Sequence, residues 1–122
     1  MSKKVLVVDD SATVRQQVRL ALAQSGFDVV EAVDGVDGQD KISSTPDIKM
    51  VICDVNMPRM NGIDMIEAVH ATGRHAGLPI VMLTTEGQPA LIQRAKAAGA
   101  KGWIVKPFKA DLLVAAVQKL TA

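Results

Sequence analysis

The chain has 122 residues, with 14 Lys+Arg against 13 Asp+Glu, a formal net charge of +1 and 48% apolar residues. This length predicts one domain over residues 1–122, and the balanced charge disfavours a module built to bind nucleic acid. The single cysteine, Cys53, excludes an internal disulfide framework, and no apolar run approaches the ~20 residues of a membrane span. We therefore expect a cytoplasmic protein without membrane insertion.

Short apolar runs rich in β-branched residues alternate along the chain with segments of helical spacing. The runs are residues 5–8, 27–30, 48–53, 80–83 and 103–105. Because the first run, residues 5–8, is apolar on both faces, it predicts a strand buried in a parallel sheet, and the further runs predict the other strands. Apolar stripes between them, such as Val14, Val18 and Leu22, predict helices; the segment 34–44 is the least regular, since Gly35 and Gly38 each lower helix propensity.

Capping residues agree with this division into elements. Ser11 is placed to cap the first helix, and Asp34 with Asp37 to cap the second. Gly26 and Gly99 follow helix ends, where a positive φ is favoured. Five strands alternating with five helices predict an α/β fold, a single doubly wound five-stranded parallel sheet with helices on both faces.

Polar side chains follow four of the predicted strands directly. Asp9 and Asp10 follow the first strand and Asp54 the third, while Thr84 and Lys106 follow the fourth and fifth. Because the carboxyl ends of parallel strands meet at one edge of the sheet, we expect these groups to lie together. Each residue alone is better explained as a cap, a turn, a strand end or a solvated charge; their convergence is what indicates a functional site.

Three carboxylates at one edge repel each other unless cations compensate them. A divalent ion and Lys106 would bring the formal sum to zero, and an all-oxygen site with room for water favours Mg²⁺. Such a site suits phosphoryl transfer, with Asp54 as the nucleophile and Asp9 and Asp10 as the metal pair.

Four segments resemble the receiver domain of two-component response regulators, especially the stand-alone chemotaxis type. They are VLVVDDS at 5–11, ICDVNMPRMNG at 52–62, PIVMLTTEG at 79–87 and GAKGWIVKPF at 99–108. The resemblance covers essentially the whole chain and implies a flavodoxin-like strand order, 2-1-3-4-5. It also implies a signalling switch without an output domain, which promotes only its own phosphorylation and dephosphorylation and is not otherwise an enzyme.

The resemblance assigns roles to the residues of the site. Asp54 becomes the acceptor of a phosphoryl group from a sensor histidine kinase or a histidine phosphotransfer protein. Asp10 becomes a direct Mg²⁺ ligand and Asp9 acts mainly through water, while Asn56 offers its backbone carbonyl. We further expect the side chains of Asn56 and Glu86 to tune hydrolysis of the acyl phosphate.

The resemblance also implies a switch and an output face. Lys106 and Thr84 would contact the phosphoryl group, Trp103 occupies the aromatic switch position, usually Tyr or Phe, and the bond before Pro107 would be cis. A downstream target such as a flagellar motor switch would bind the face formed by Ile92, Lys101, Trp103 and Lys109.

Two arginines of the first helix, Arg15 and Arg19, lie one turn apart and are predicted to be solvated charges near which kinases dock. A phosphatase is a further expected partner, and the chain is expected to be a monomer.

Other readings remain open at this point. Within the switch class, the chain is alternatively a phosphorelay intermediate or a single-domain regulator of another protein. A small Mg²⁺-dependent phosphatase of the haloacid-dehalogenase type would need an acid where Asn56 stands, and no cap domain is present to enclose a substrate. A flavin-binding flavodoxin would need a phosphate loop where Asp9 and Asp10 would repel phosphate.

Overall fold

The computed structural model describes residues 3–45, 47–57, 60–72, 77–85 and 87–122. Within these ranges, five strands alternate with five helices. The strands are β1 (Lys4–Val8), β2 (Asp28–Ala32), β3 (Ile48–Cys53), β4 (Ile80–Thr84) and β5 (Gly102–Val105). The helices are α1 (Ala12–Ala23), α2 (Gly35–Ser44), α3 (Gly62–Ala71), α4 (Pro89–Ala98) and α5 (Ala110–Thr121).

The strands form one parallel sheet in the order β2-β1-β3-β4-β5, which confirms the predicted topology. Strand β1 pairs on one side with β2 and on the other with β3, so that Val7 lies opposite both Glu31 and Ile52. The strand order reverses beside β1, and ligands of open α/β sheets bind at the carboxyl end of such a reversal.

The core has two layers because successive strand side chains point to opposite faces of the sheet. On one face, Val5 and its neighbours pack with Val18 of α1 and Leu113 of α5. On the other face, Leu6 and its neighbours pack with buried residues of α2, α3 and α4, including Ile66. Both faces of the sheet are covered, as the apolar runs predict.

The predicted caps are present in the structure. The Ser11 side chain accepts a hydrogen bond from the Val14 N–H at 3.3 Å, and Asp34 accepts one from the Asp37 N–H at 2.8 Å. Gly99 ends α4 with a φ of 114°, in the left-handed region that glycine adopts without strain. Helix α2, which the sequence predicts least clearly, therefore begins after its expected cap, Asp34.

Strand β2 ends two residues later in the chain than the sequence predicts. It runs from Asp28 to Ala32 rather than over 27–30, because its pairing with β1 continues to the end, where Val8 lies opposite Ala32. As an edge strand it tolerates the half-buried Glu31, which interrupts the apolar run on which the prediction depended. None of the described helices combines the length and the apolar character needed to cross a bilayer.

Candidate functional site

Three carboxylates lie together at the carboxyl ends of β1 and β3. Asp9 and Asp54 are buried and Asp10 is exposed, and one oxygen from each lies within 4.8 Å of the others. Octahedral Mg²⁺ holds oxygens at about 2.1 Å, so its opposite ligands are about 4.2 Å apart. The spacing and the all-oxygen donor set therefore fit a magnesium ion.

The backbone fixes the two buried carboxylates. The Ser11 N–H donates to Asp9 Oδ1 at 2.9 Å, and the Val55 N–H donates to Asp54 Oδ1 at 2.7 Å. In both residues this leaves Oδ2 facing the same cation, the Lys106 ammonium. The predicted convergence of Asp9, Asp10 and Asp54 is therefore present.

Lys106 joins the end of β5 to the carboxylates. Its Nζ donates to Asp9 Oδ2 at 2.7 Å and to Asp54 Oδ2 at 3.2 Å, and its side chain is only 14% exposed. The Lys106 N–H also donates to the Thr84 carbonyl at 2.9 Å, which ties the ends of β4 and β5 together. The Lys106–Pro107 peptide bond is cis, as the resemblance implies.

The charges of the site perturb its titration. Burial raises the pKa of Asp9, and it outweighs the hydrogen bonds from Lys106 and Ser11, which lower it. Burial alone would lower the pKa of Lys106, but the hydrogen bond to Asp9 and the charge of Asp54 together raise it. Burial, with smaller effects from Asp54 and Asp9, raises the pKa of the Cys53 thiol well above its usual range. Cys53 is therefore a packing residue, as free buried cysteines usually are.

A glycine that the sequence analysis passed over allows α3 to begin directly beside Asp54. A Cβ built on Gly62 would lie 2.0 Å from the Asp54 carbonyl oxygen, and the Gly62 N–H donates to the Val55 carbonyl at 3.0 Å. Only glycine permits this approach without a backbone shift. The sequence feature that could have predicted this role is the place of Gly62, which follows both the apolar run 48–53 and Pro58 in the segment 52–62.

The remaining predicted residues occupy the surroundings of this cluster. Thr84 is fully buried at the end of β4, whereas Asn56 is exposed two residues beyond Asp54. Glu86 lies outside the described residues. The predicted output face comprises half-buried Ile92 and Trp103 with exposed Lys101 and Lys109; Trp103 packs against the core layer that α2, α3 and α4 cover.

The interpretation of Arg15 as a solvated charge is wrong. Arg15 Nη1 donates to the Asp9 carbonyl at 2.5 Å, and Nε donates to Glu31 Oε1 at 3.1 Å. Arg19, one turn further, is 46% exposed and holds the other oxygen of Glu31 at 2.8 Å. A lone acid at the end of β2, beside β1 and within reach of an arginine on α1, was the signal in the sequence.

Comparison with known proteins identifies relatives of one kind. The model of the response regulator receiver domain matches residues 5–118. The chain is 44% identical to the chemotaxis protein CheY1 of Helicobacter pylori over 90% of both chains. It is 42% identical to a CheY homolog of Campylobacter jejuni, over 90% of this chain and 85% of that one. The solved structure of Vibrio cholerae chemotaxis protein CheY4 superposes with a TM-score of 0.91 at 40% identity, covering 98% of this chain and 99% of that one.

Proposed function

The chain belongs to the response regulator receiver domain family, and we propose that it is a signalling switch activated by phosphorylation of Asp54. One observation carries this proposal: Lys106 Nζ bridges Asp9 and Asp54 beside a third carboxylate, Asp10, at the carboxyl edge of the sheet. An ordinary surface cluster of acids would not bury two of its members against a lysine.

The nucleophile we propose is the Asp54 carboxylate. One of its oxygens forms a bond to phosphorus while the bond between phosphorus and the donor nitrogen breaks. The leaving imidazole nitrogen keeps the electron pair and gains a proton. Asp54 is the candidate rather than Asp9 because it stands alone at the end of the central strand β3, and because Lys106 Nζ holds its Oδ2 less closely, at 3.2 Å against 2.7 Å for Asp9 Oδ2.

The charge of the cluster supports a divalent cofactor. Three carboxylates (−3) and Lys106 (+1) sum to −2, which a divalent ion would offset. We propose that Asp9, Asp10, Asp54 and the Asn56 carbonyl hold Mg²⁺, Asp9 mainly through water. When bound, the ion would neutralise charge on the transferring oxygens. The side chains of Asn56 and Glu86 would tune hydrolysis, and an unchanged dephosphorylation rate in a variant substituted at both would contradict this role.

The switch we propose begins at Lys106. After phosphorylation its ammonium would pair with the phosphoryl group, and the Thr84 hydroxyl would donate to one of its oxygens. The Lys106 N–H and the Thr84 carbonyl already connect these two strand ends at 2.9 Å. A changed position there would reach Trp103 and the output face of Ile92, Lys101 and Lys109, and would bias a two-state equilibrium.

The names of the relatives support chemotaxis as the setting. A sensor histidine kinase or a histidine phosphotransfer protein would supply the phosphoryl group in the cytoplasm. The phosphorylated monomer would then bind a target such as the flagellar motor switch, and a phosphatase would end the signal. Pull-down with and without a phosphoryl mimic, followed by identification of the captured proteins, separates a motor target from a relay partner or another regulated protein.

Trp103 is the chain's single tryptophan and provides the readout. Mg²⁺ with beryllofluoride, a mimic of the phosphoryl group, is expected to change its fluorescence. The Asp54→Asn variant is expected to lose this response. Asp64→Asn, the same chemical change at a half-exposed carboxylate of α3 that pairs with Arg94, is the matched control. A wild-type response in Asp54→Asn would contradict the proposed acceptor.

A further inference from the structure

We propose that Arg15 is a positioning residue for the magnesium site, because it fixes the main-chain carbonyl that separates Asp9 from Asp10. This inference rests on the proposed function, since it concerns binding of the same ion. It assigns a role to a side chain that contacts neither the acceptor Asp54 nor the ammonium of Lys106 among the described hydrogen bonds.

Arg15 of α1 contacts the residue that follows β1 through one nitrogen and a residue of β2 through another. Nη1 donates to the Asp9 carbonyl at 2.5 Å and Nε donates to Glu31 Oε1 at 3.1 Å. The Arg15 side chain is 14% exposed, so these hydrogen bonds are largely shielded from water. The fork of the guanidinium allows both contacts at once, which a lysine ammonium on a flexible stem cannot reproduce in one fixed geometry.

The carbonyl of Asp9 determines how Asp10 enters the site. It shares a planar peptide unit with the Asp10 nitrogen, so that holding the carbonyl also holds the direction in which the chain continues. Asp9 has other supports: its N–H donates to the Ala32 carbonyl at 3.1 Å, and its side chain is held at both oxygens. Asp10 is exposed, and within the described part of the chain its side chain has no hydrogen bond or ion pair. Two contacts therefore restrain the peptide that carries Asp10: the turn that the Ser11 N–H closes onto Asp9 Oδ1, and the hydrogen bond from Arg15 to the Asp9 carbonyl, which is the one that reaches the peptide from a neighbouring helix.

Arg15 could affect metal binding in two opposite ways, by its positive charge or by positioning the Asp9 carbonyl. A guanidinium beside the site repels a divalent cation, so its removal would tighten binding. Glu31 reduces this repulsion, because it pairs with Arg15 and also accepts from Arg19 Nε at 2.8 Å. Positioning predicts that removal of Arg15 weakens binding. The sign of the change in Mg²⁺ affinity therefore separates the two effects.

The experiment is a calorimetric titration of the full chain with Mg²⁺, without any phosphodonor. Arg15→Met is expected to raise the Kd for Mg²⁺ about tenfold, the lower end of the effect of losing an outer-shell partner of a metal ligand. Arg19→Met is the matched control, because it removes a guanidinium from the same Glu31 without touching Asp9; its Kd is expected to stay at the wild-type value or to fall. Arg15→Lys keeps the charge and one contact, and an intermediate Kd is expected.

Thermal unfolding of each variant separates positioning from general destabilisation. Equal Kd values for Arg15→Met and Arg19→Met would overturn the inference, even if Arg15→Met unfolds at a lower temperature. If Arg15→Met does not fold, Arg15→Lys decides: a wild-type Kd would overturn the inference and a raised Kd would support it. Wild-type protein that does not bind Mg²⁺ would instead overturn the proposed function, and this inference with it.

Discussion

The segment from β1 to α3 and the segment from α4 to α5 are built differently. In the first segment all three helices have a side-chain cap: Ser11, Asp34 and Asn61 each accept a hydrogen bond from an N–H of the first turn. In the second segment the N-caps are Gln88 and Lys109, and neither makes a side-chain capping hydrogen bond. The weak cap at Lys109 agrees with its sequence, because lysine is not a capping residue.

Burial follows the same division when β1 and α3 are compared with β5 and α4, although the edge strand β2 of the first segment is mostly half-buried. Helix α3 buries five of its residues, whereas α4 buries only Ala95. Residues 5–8 of β1 are buried, whereas β5 is half-buried or exposed throughout. At the surface, α4 is connected to α3 through Arg94, whose contacts with Asp64 and Glu67 at 2.8 Å are exposed ion pairs of the weak kind.

This difference agrees with the proposed division of labour. The carboxylates lie on the segment from β1 to α3, which we call the well-anchored segment because its helices are capped and α3 is deeply buried. Fixed geometry there favours metal binding and attack on phosphorus. The proposed output face lies on elements with few buried contacts, and moving elements are drawn from the least stable parts of a fold. Lys106 connects the two segments, since its ammonium contacts Asp9 and Asp54 while its backbone follows β5.

The largest expected effect breaks the well-anchored segment at its tightest point. Gly62→Ala places a methyl group against the Asp54 carbonyl oxygen, which lies 2.0 Å from the Cβ position, so the backbone must shift. We expect the free energy of unfolding to fall by about 3 kcal/mol in urea denaturation. Gly87→Ala, whose Cβ would have no atom within 4 Å, is the control and should stay within about 0.5 kcal/mol of wild type. Equal stability of the two variants would show that the close approach carries no energetic weight.

Exchanging caps sharpens the comparison with an effect of intermediate size. Asn61→Ala removes the acceptor that the Asp64 N–H uses at 2.8 Å, and it is expected to cost about 1 kcal/mol. Gln88→Ser gives α4 a cap that its extended backbone can use, and it is expected to stabilise by about 1 kcal/mol. Urea denaturation measures both. If Asn61→Ala does not destabilise the protein and Gln88→Ser does not stabilise it, capping is not the basis of the difference between the two segments.

The smallest effect concerns the surface of the well-anchored segment. Hydrogen bonds from Arg19 and Arg15 lower the pKa of Glu31 despite its partial burial. A carboxyl with a lowered folded-state pKa contributes stability above its unfolded pKa, and loses this contribution as the pH falls through the folded value. Glu31→Gln should therefore cost less than about 1 kcal/mol at neutral pH. The difference from wild type should vanish at acidic pH, and a constant difference at all pH values would contradict the ion pair.

Much of this architecture could be predicted from residue patterns. The five strands are recognisable because a buried parallel strand is apolar on both faces, and the edge strand β2 was misplaced because Glu31 breaks that pattern. The convergence of Asp9, Asp54 and Lys106 follows from strand ends meeting at one edge. The role of Arg15 could not be predicted, since a helical arginine is usually solvated and only the register of β1 with β2 brings Glu31 within its reach.

The central claim is that the carboxylate cluster makes Asp54 a phosphoryl acceptor, and mass spectrometry tests it most directly. The chain is incubated with a small acyl-phosphate donor, with and without Mg²⁺, and the modified peptide is then identified. The account predicts one phosphoryl group on the peptide containing Asp54, formed only with the metal and absent in Asp54→Asn. Phosphorylation at another residue, formation without a divalent ion, or no phosphorylation at all would contradict the account.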